Sequence, residues 1–270
     1  MSSNAQVNVT DKLGNTVVIF AANGLRELVS VFVQNGADPN ARNREGKTAL
    51  VLALQRGDYL TCELLIREKA NPNLEDEEGR TATHLAVLKP DIRILELLLD
   101  SGADPNMKDN RQLTALDYAL GGARIESRPF PGVPTMTGPQ PQAVQLLLSH
   151  GAKAESQAVW RTLDAPDVLK LLLEAKADPN IKDRGRTPLD YLKNPGPSGL
   201  GPERERSLHL LEKYGGTNTV AAQASFQQRL QETVDAIPQT NAAFRQRLNQ
   251  IVPRSNPQTN GQAQGKSEEL

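Results

Sequence analysis

Gly-Ala-Asp-Pro-Asn stands at Gly36, returns at Gly102, and appears altered as Lys-Ala-Asn-Pro-Asn at Lys69 and Lys-Ala-Asp-Pro-Asn at Lys176. Gly36 and Lys69 lie 33 positions apart, as do Lys69 and Gly102. A second marker keeps step: GKTAL from Gly46, GRTATHLA from Gly79, QLTALDYA from Gln112 and GRTPLDYL from Gly185. Two markers held in one phase over such a period restrict the chain to a stack of similar units. Between them lie LTCELLI, RILELLL, AVQLLL and VLKLLL, leucine runs with helical spacing that give each unit an apolar face only a neighbour can cover. Glycine at 36, 102 and 151 supplies the positive φ that ends a helix, and Asp-Pro-Asn then turns the chain, with Asp and Asn bonding nearby backbone groups. Lys69 and Lys176 replace that glycine, at a cost of about 1 kcal/mol each if they occupy the left-handed region.

On these markers the chain resembles the ankyrin repeat family, whose unit is a β-turn finger and two antiparallel helices opened by a T-P-L-H-x-A signature. TALVLA (Thr48–Ala53), TATHLA (Thr81–Ala86), TALDYA (Thr114–Ala119) and TPLDYL (Thr187–Leu192) match it in part. Only His84 keeps the family histidine; Val51, Asp117 and Asp190 stand in its place, so the Thr-to-His bond is expected in the third unit alone. The fold expected is an all-α ankyrin-repeat solenoid of about six helix-turn-helix units with short β-turn fingers, plus a helical and disordered C-terminal tail. The units fall near 13–42, 43–75, 76–108, 109–154, 155–182 and 183–216 within a repeat domain at 12–216, after a flexible N-terminus at 1–11. NTVVIFAANGLREL, one residue short, reads as an N-terminal cap.

The period breaks in two places. Pro-rich insertions at 122–141 and 194–203 lie between the two helices of the fourth and sixth units, where proline excludes helix. Between them the fifth unit lacks its finger and its Gly-x-Thr marker, and Trp160 reads as a plug for the missing volume. After Gly216 the chain turns rich in Gln and Asn. ASFQQRLQ at Ala224 recurs as AAFRQRLNQ at Ala242, which implies two short amphipathic helices within 217–253, followed by a disordered stretch at 254–270. These helices either cap the solenoid or enter a partner's groove. Phe130, Phe226, Leu230, Phe244 and Leu248 are the candidate residues of such a second surface.

Lys and Arg number 31 against 32 Asp and Glu, so no bulk field draws the chain to nucleic acid or an anionic membrane. The start lacks a leader pattern and no apolar run reaches membrane-spanning length, which points to a cytoplasmic protein, with secretion into a host cell left open. The three histidines and the single Cys62 have no metal-ligand spacing, and no phosphate-binding glycine loop is present. A Cys62–His84 pair across adjacent layers is conceivable, but LTCELLI places the thiol in an apolar helix face. No catalytic residue, metal, cofactor or small-molecule substrate is therefore expected. The resemblance implies a non-catalytic scaffold, adaptor or inhibitor that binds a folded protein through finger tips and first helices. Its alternatives are a bacterial effector or immunity-type protein acting on a host or rival protein, and a regulatory subunit or enzyme with activity in the tail. Fingers alternate in charge: Arg42, Arg44 and Lys47 are basic, Glu75–Glu78 acidic, and Lys108, Arg111, Lys182, Arg184 and Arg186 basic again. Arg44, Arg56, Arg80, Tyr118, Arg184, Arg186 and Tyr191 are the candidate contacts on the concave surface.

Overall fold

The computed structural model describes residues 7–121, 138–155, 157–194 and 200–217. Within them the helices are α1 (Val17–Ala22), α2 (Glu27–Gln34), α3 (Ala49–Arg56), α4 (Tyr59–Arg67), α5 (Ala82–Val87) and α6 (Ile92–Asp100). Then come α7 (Ala115–Ala119), α8 (Pro141–Ser149), α9 (Ala158–Arg161), α10 (Pro166–Glu174), α11 (Pro188–Lys193) and α12 (Pro202–Lys213). Each odd-numbered helix packs on the helix that follows it, and the pairs stack. The second helices form an unbroken row, α2–α4–α6–α8–α10–α12. The first-helix row runs α1–α3–α5–α7 and then thins at the four-residue α9. The all-α repeat architecture is as the sequence implies. The two amphipathic tail segments, the first insertion's core and the stretch after 217 lie outside the described residues, with Phe130, Phe226, Leu230, Phe244 and Leu248 among them.

The apolar spine is formed by the leucine runs, offset by one from their first member. Leu65, Leu98, Leu147, Leu172 and Leu211 have no exposed surface, whereas Leu64, Leu97, Leu146, Leu171 and Leu210 pack partly buried beside them. The buried leucine in each row also carries the carbonyl that closes its helix. Ala103 N–H donates to Leu98 O at 3.0 Å and Gly102 N–H to Leu99 O at 3.1 Å, a Schellman closure repeated at Gly36–Ala37, Lys69–Ala70, Gly151–Ala152 and Lys176–Ala177. The Gly-Ala of the recurring phrase is thereby explained. The first residue takes φ near +87° at Gly102, and the second is a buried methyl small enough to sit against the leucine. Lys69 and Lys176 adopt the same conformation, at φ 64° and 66°.

Asp-Pro-Asn does more than turn the chain. Asp38, Asp104 and Asp178 bond locally, each accepting from the N–H two residues on. The asparagines instead reach into the next layer. Asn73 Nδ2 donates to Gly102 O at 3.2 Å while its Oδ1 accepts from Asp104 N–H at 2.8 Å. Asn8, Asn40, Asn106 and Asn180 make the same two-bond rung to the layers closed by Gly36, Lys69, Gly151 and Gly215. One rung is missing: Glu155 occupies the asparagine position of the fourth layer and pairs with Lys108 at 2.7 Å.

The finger tips stack as well. Asn43, Asp76 and Asp109 each accept two backbone N–H groups, two and four residues on, which fixes the tip. Gly46 and Gly79 let the following tip approach: a Cβ there would stand 2.9 Å from Glu77 N and 2.8 Å from Asn110 N. The corresponding residue of the fourth finger is Gln112, held at φ 62°, and it is tolerated because no fifth finger follows it.

Two expectations need correction. α12 begins at Pro202 and α8 at Pro141, inside the stretches assigned to the insertions, because proline at the first helical position gives up only an N–H that has no helical partner. The first unit does not close the stack with a polar face. Phe20 is 52% exposed, Val31 48% and Leu28 38%, since α1 and α2 bury only the face turned to α3 and α4. The Thr-to-His bond falls in the third unit, as expected, and aspartates take the same place in the fourth and sixth units. Asp117 Oδ2 accepts from Thr114 N–H at 3.0 Å and Asp190 Oδ2 from Thr187 N–H at 3.0 Å, as His84 Nδ1 accepts from Thr81 N–H at 3.1 Å.

Candidate functional site

Two of the expected contacts are taken up inside the stack. Arg80 is a structural residue rather than a surface contact: its guanidinium donates to Asp76 Oδ2 at 2.8 and 3.0 Å and to Glu78 at 2.9 Å, and its side chain is 13% exposed. Asp76 is buried beneath the acidic tip, so that tip presents Glu75, Glu77 and Glu78 alone. Tyr118 is also a correction, being buried with its hydroxyl donating to Asp109 Oδ2 at 2.7 Å and its ring edge against His84. Burial and that carboxylate both push the phenol above its ordinary value. Arg56 is exposed and bonds Asn23 Oδ1 at 2.8 Å, and Arg44 is exposed on the second finger.

His84 and Cys62 are core residues. Because Thr81 N–H donates to Nδ1, the ring proton sits on Nε2, which donates to Leu113 O at 3.1 Å in the next layer. Burial holds the imidazole below its ordinary value, with the Leu113 carbonyl opposing. Burial first, and Asp58 second, push the Cys62 thiol up to about 12, so it carries no thiolate at neutral pH. Among the described residues no group of three or more His, Cys, Asp or Glu could hold a metal, and no helix is long and apolar enough to cross a membrane.

The remaining candidates converge at the defect. The sixth finger has one residue fewer before its threonine than the fourth, and it closes as a two-residue hairpin: Asp183 and Arg186 exchange backbone bonds at 2.9 and 3.0 Å. Both turn residues take positive φ, Arg184 at 47° and Gly185 at 81°, the signature of a type I′ turn. Where a fifth finger would lie there is instead a cleft of about 580 Å³, lined by Trp160, Leu163, Asp164, Asp183, Arg184, Arg186, Tyr191 and Arg204. Trp160 is not the plug expected of it. It is partly buried, donates from Nε1 to Ile181 O at 3.2 Å at the base of the hairpin, and meets Tyr191 edge-on at 5.9 Å. Arg204 lies 5.8 Å from the Tyr191 ring and is bound by Asp164 at 2.6 Å, a contact that raises its already high pKa. Arg161 ties the floor of α9 to Asp117 at 2.7 Å. Arg184 and Arg186 are exposed and have no ion pair among the described residues. Trp160, Leu163, Asp164 and Arg204 were not among the expected contacts; the missing fifth finger was the signal that could have pointed to them.

Helix pairs joined by stacked tips, closed by Schellman turns and opened by threonine caps, define a helical repeat solenoid with a notched concave side. The ankyrin repeats family profile matches three times, at residues 1–76, 17–109 and 51–127, so that residues 1–127 form a run of ankyrin repeats. No curated protein matches the chain.

Proposed function

We propose that the protein is a scaffold, adaptor or inhibitor that binds a folded protein along its finger tips and first helices. Ankyrin repeats generally mediate protein binding and are typically non-catalytic, and no described group is activated for chemistry: the one thiol is protonated and His84 is engaged at both ring nitrogens. The observation that carries the reading is the exposed pair Arg184 and Arg186, without an ion pair among the described residues, beside Tyr191, itself 42% exposed. Arginine and tyrosine exposed together are among the residue types that dominate binding energy in protein interfaces. Arg44 and Arg56 extend the same surface toward the N-terminal layers.

The test is capture of partners by the full-length chain, with charge reversal at Arg44 and Arg56, at Arg184 and Arg186, and deletion of 218–270, each compared with wild type by quantitative mass spectrometry. Loss of the same partners on either reversal, with the deletion retaining them, supports the concave surface. A partner set that survives both reversals and vanishes with the deletion moves the function to the tail.

A further inference from the structure

The first finger is met by the second, with Arg44 N–H donating to Leu13 O at 2.9 Å, and the third by the fourth, with Asn110 N–H donating to Glu78 O at 3.0 Å. The sixth finger has no predecessor to meet. The cleft has both the hairpin and the Arg204–Asp164 pair in its lining, and its volume falls in the range of binding clefts. Its walls are chemically divided. Trp160, Leu163 and Tyr191 form the apolar part, and the charged groups facing it are Arg184, Arg186, Arg204, Asp164 and Asp183. Arg204 is neutralised by Asp164, so Arg184 and Arg186, without an ion pair among the described residues, share the lining with Asp183 as its one remaining carboxylate. Arg184 is moreover kept at φ 47°, where glycine would be relaxed, with its side chain lining the cleft.

We infer that this cleft takes an extended acidic segment of the protein partner, with a carboxylate received by Arg184 and Arg186 and a neighbouring apolar side chain laid against Trp160 and Tyr191. The inference rests on the protein-binding reading and narrows it. Planar guanidinium groups receive carboxylates bidentately, and the adjoining rings supply the apolar contact. The chain's net charge of −1 supplies no field for a long polyanion, which favours a short acidic peptide over nucleic acid.

The experiment selects peptides from a displayed library of random dodecamers on the immobilised full-length protein and titrates the winners by fluorescence. Trp160 is the only tryptophan of the chain, so its emission reports occupation of the cleft directly. The expected winners carry Asp or Glu within two residues of Leu, Ile or Phe, shift the Trp160 emission on binding, and lose about tenfold or more in affinity with R184E/R186E. Arg184→Gly separates a binding role from a structural one: it weakens the peptide several-fold while raising the thermal midpoint by about 2 °C. Neutral or basic winners, no enrichment, binding indifferent to R184E/R186E, or displacement of the peptides by a single-stranded oligodeoxynucleotide overturns the inference. If captured partners resist R184E/R186E but are lost on reversal of Arg44 and Arg56, the cleft is wrong and the protein-binding reading stands. Absence of partners and peptides alike removes both.

Discussion

Lys69 and Lys176 sit at φ 64° and 66°, where a Cβ crowds the backbone, and their N–H groups still close the helices on Ile66 O and Leu173 O at 3.0 Å. Replacing either by glycine keeps the closure and removes the crowding, partly offset by the freer unfolded chain. Each change is expected to add about 0.5–1 kcal/mol, read from urea denaturation midpoints. His84 sets a pH dependence of definite sign. Its folded pKa lies below the ordinary 6.5, so the unfolded chain takes up the proton first. Stability is full above pH 6.5 and falls as the pH drops toward the lowered folded value, because a proton on Nδ1 would face the Thr81 N–H. His150 works the other way. The Leu146 carbonyl and Asp100 raise it, so its contribution is full below 6.5 and is lost as the pH rises through the folded value. Thermal midpoints between pH 5 and 7.5 should flatten in His84→Gln and steepen in His150→Gln; an unchanged slope in the first would mean the ring is not the titrating group. Tyr118 and Tyr191 show what single residues conceal. They hold the same place in TALDYA and TPLDYL, yet one is 4% and the other 42% exposed. Tyr118 has Asp109 and His84 to meet, whereas Tyr191 adjoins a shortened finger and a layer that has none. The pattern gives the position on the helix; the neighbouring layer decides the burial.

At the level of elements, the helix ends were legible because their causes are local: threonine before every first helix but α9, glycine or a lysine in its place after each second, leucines at helical spacing between. The asparagine rungs were not. Both partners of Asn73 lie 29 and 31 residues away, and nothing in the spacing distinguishes a side chain that bonds its own turn from one that bonds the next layer. Asn73→Ala should therefore cost more than a turn residue would, about 1–2 kcal/mol for two bonds to backbone, with Asp104→Ala nearer to a single bond. Denaturation midpoints of the two variants decide it. Hydrogen exchange tests the missing rung. Asn71, Asp104, Lys153 and Thr217 donate their N–H groups to asparagines of the preceding layer, but Asp178 has no such acceptor because Glu155 replaces it. The Asp178 amide should exchange near the rate of an open chain while the others are protected; equal protection would show that the fourth and fifth layers are latched by another route. The shortened finger was likewise present as a one-residue deletion before Thr187, unremarkable until the hairpin geometry gave it meaning.

For the molecule as a whole, the two ends are unlike. Phe20, Leu28 and Val31 stand exposed on the N-terminal layer, beyond the reach of any described element. Phe20→Gln with Val31→Gln removes apolar surface already in water, so stability should change by no more than about 0.5 kcal/mol while self-association at high concentration declines, as followed by light scattering. A large loss of stability would show that this face is covered by the rest of the chain. The solenoid and its leucine spine follow from periodicity, whereas the notch emerges only when the missing fifth finger and the shortened sixth are taken together. The rungs also make the stack a one-way ratchet. Each asparagine travels with its own layer and holds the one that follows, so trimming from the carboxyl end merely returns an amide to water, whereas trimming from the amino end strips the clasp from a helix terminus that stays behind.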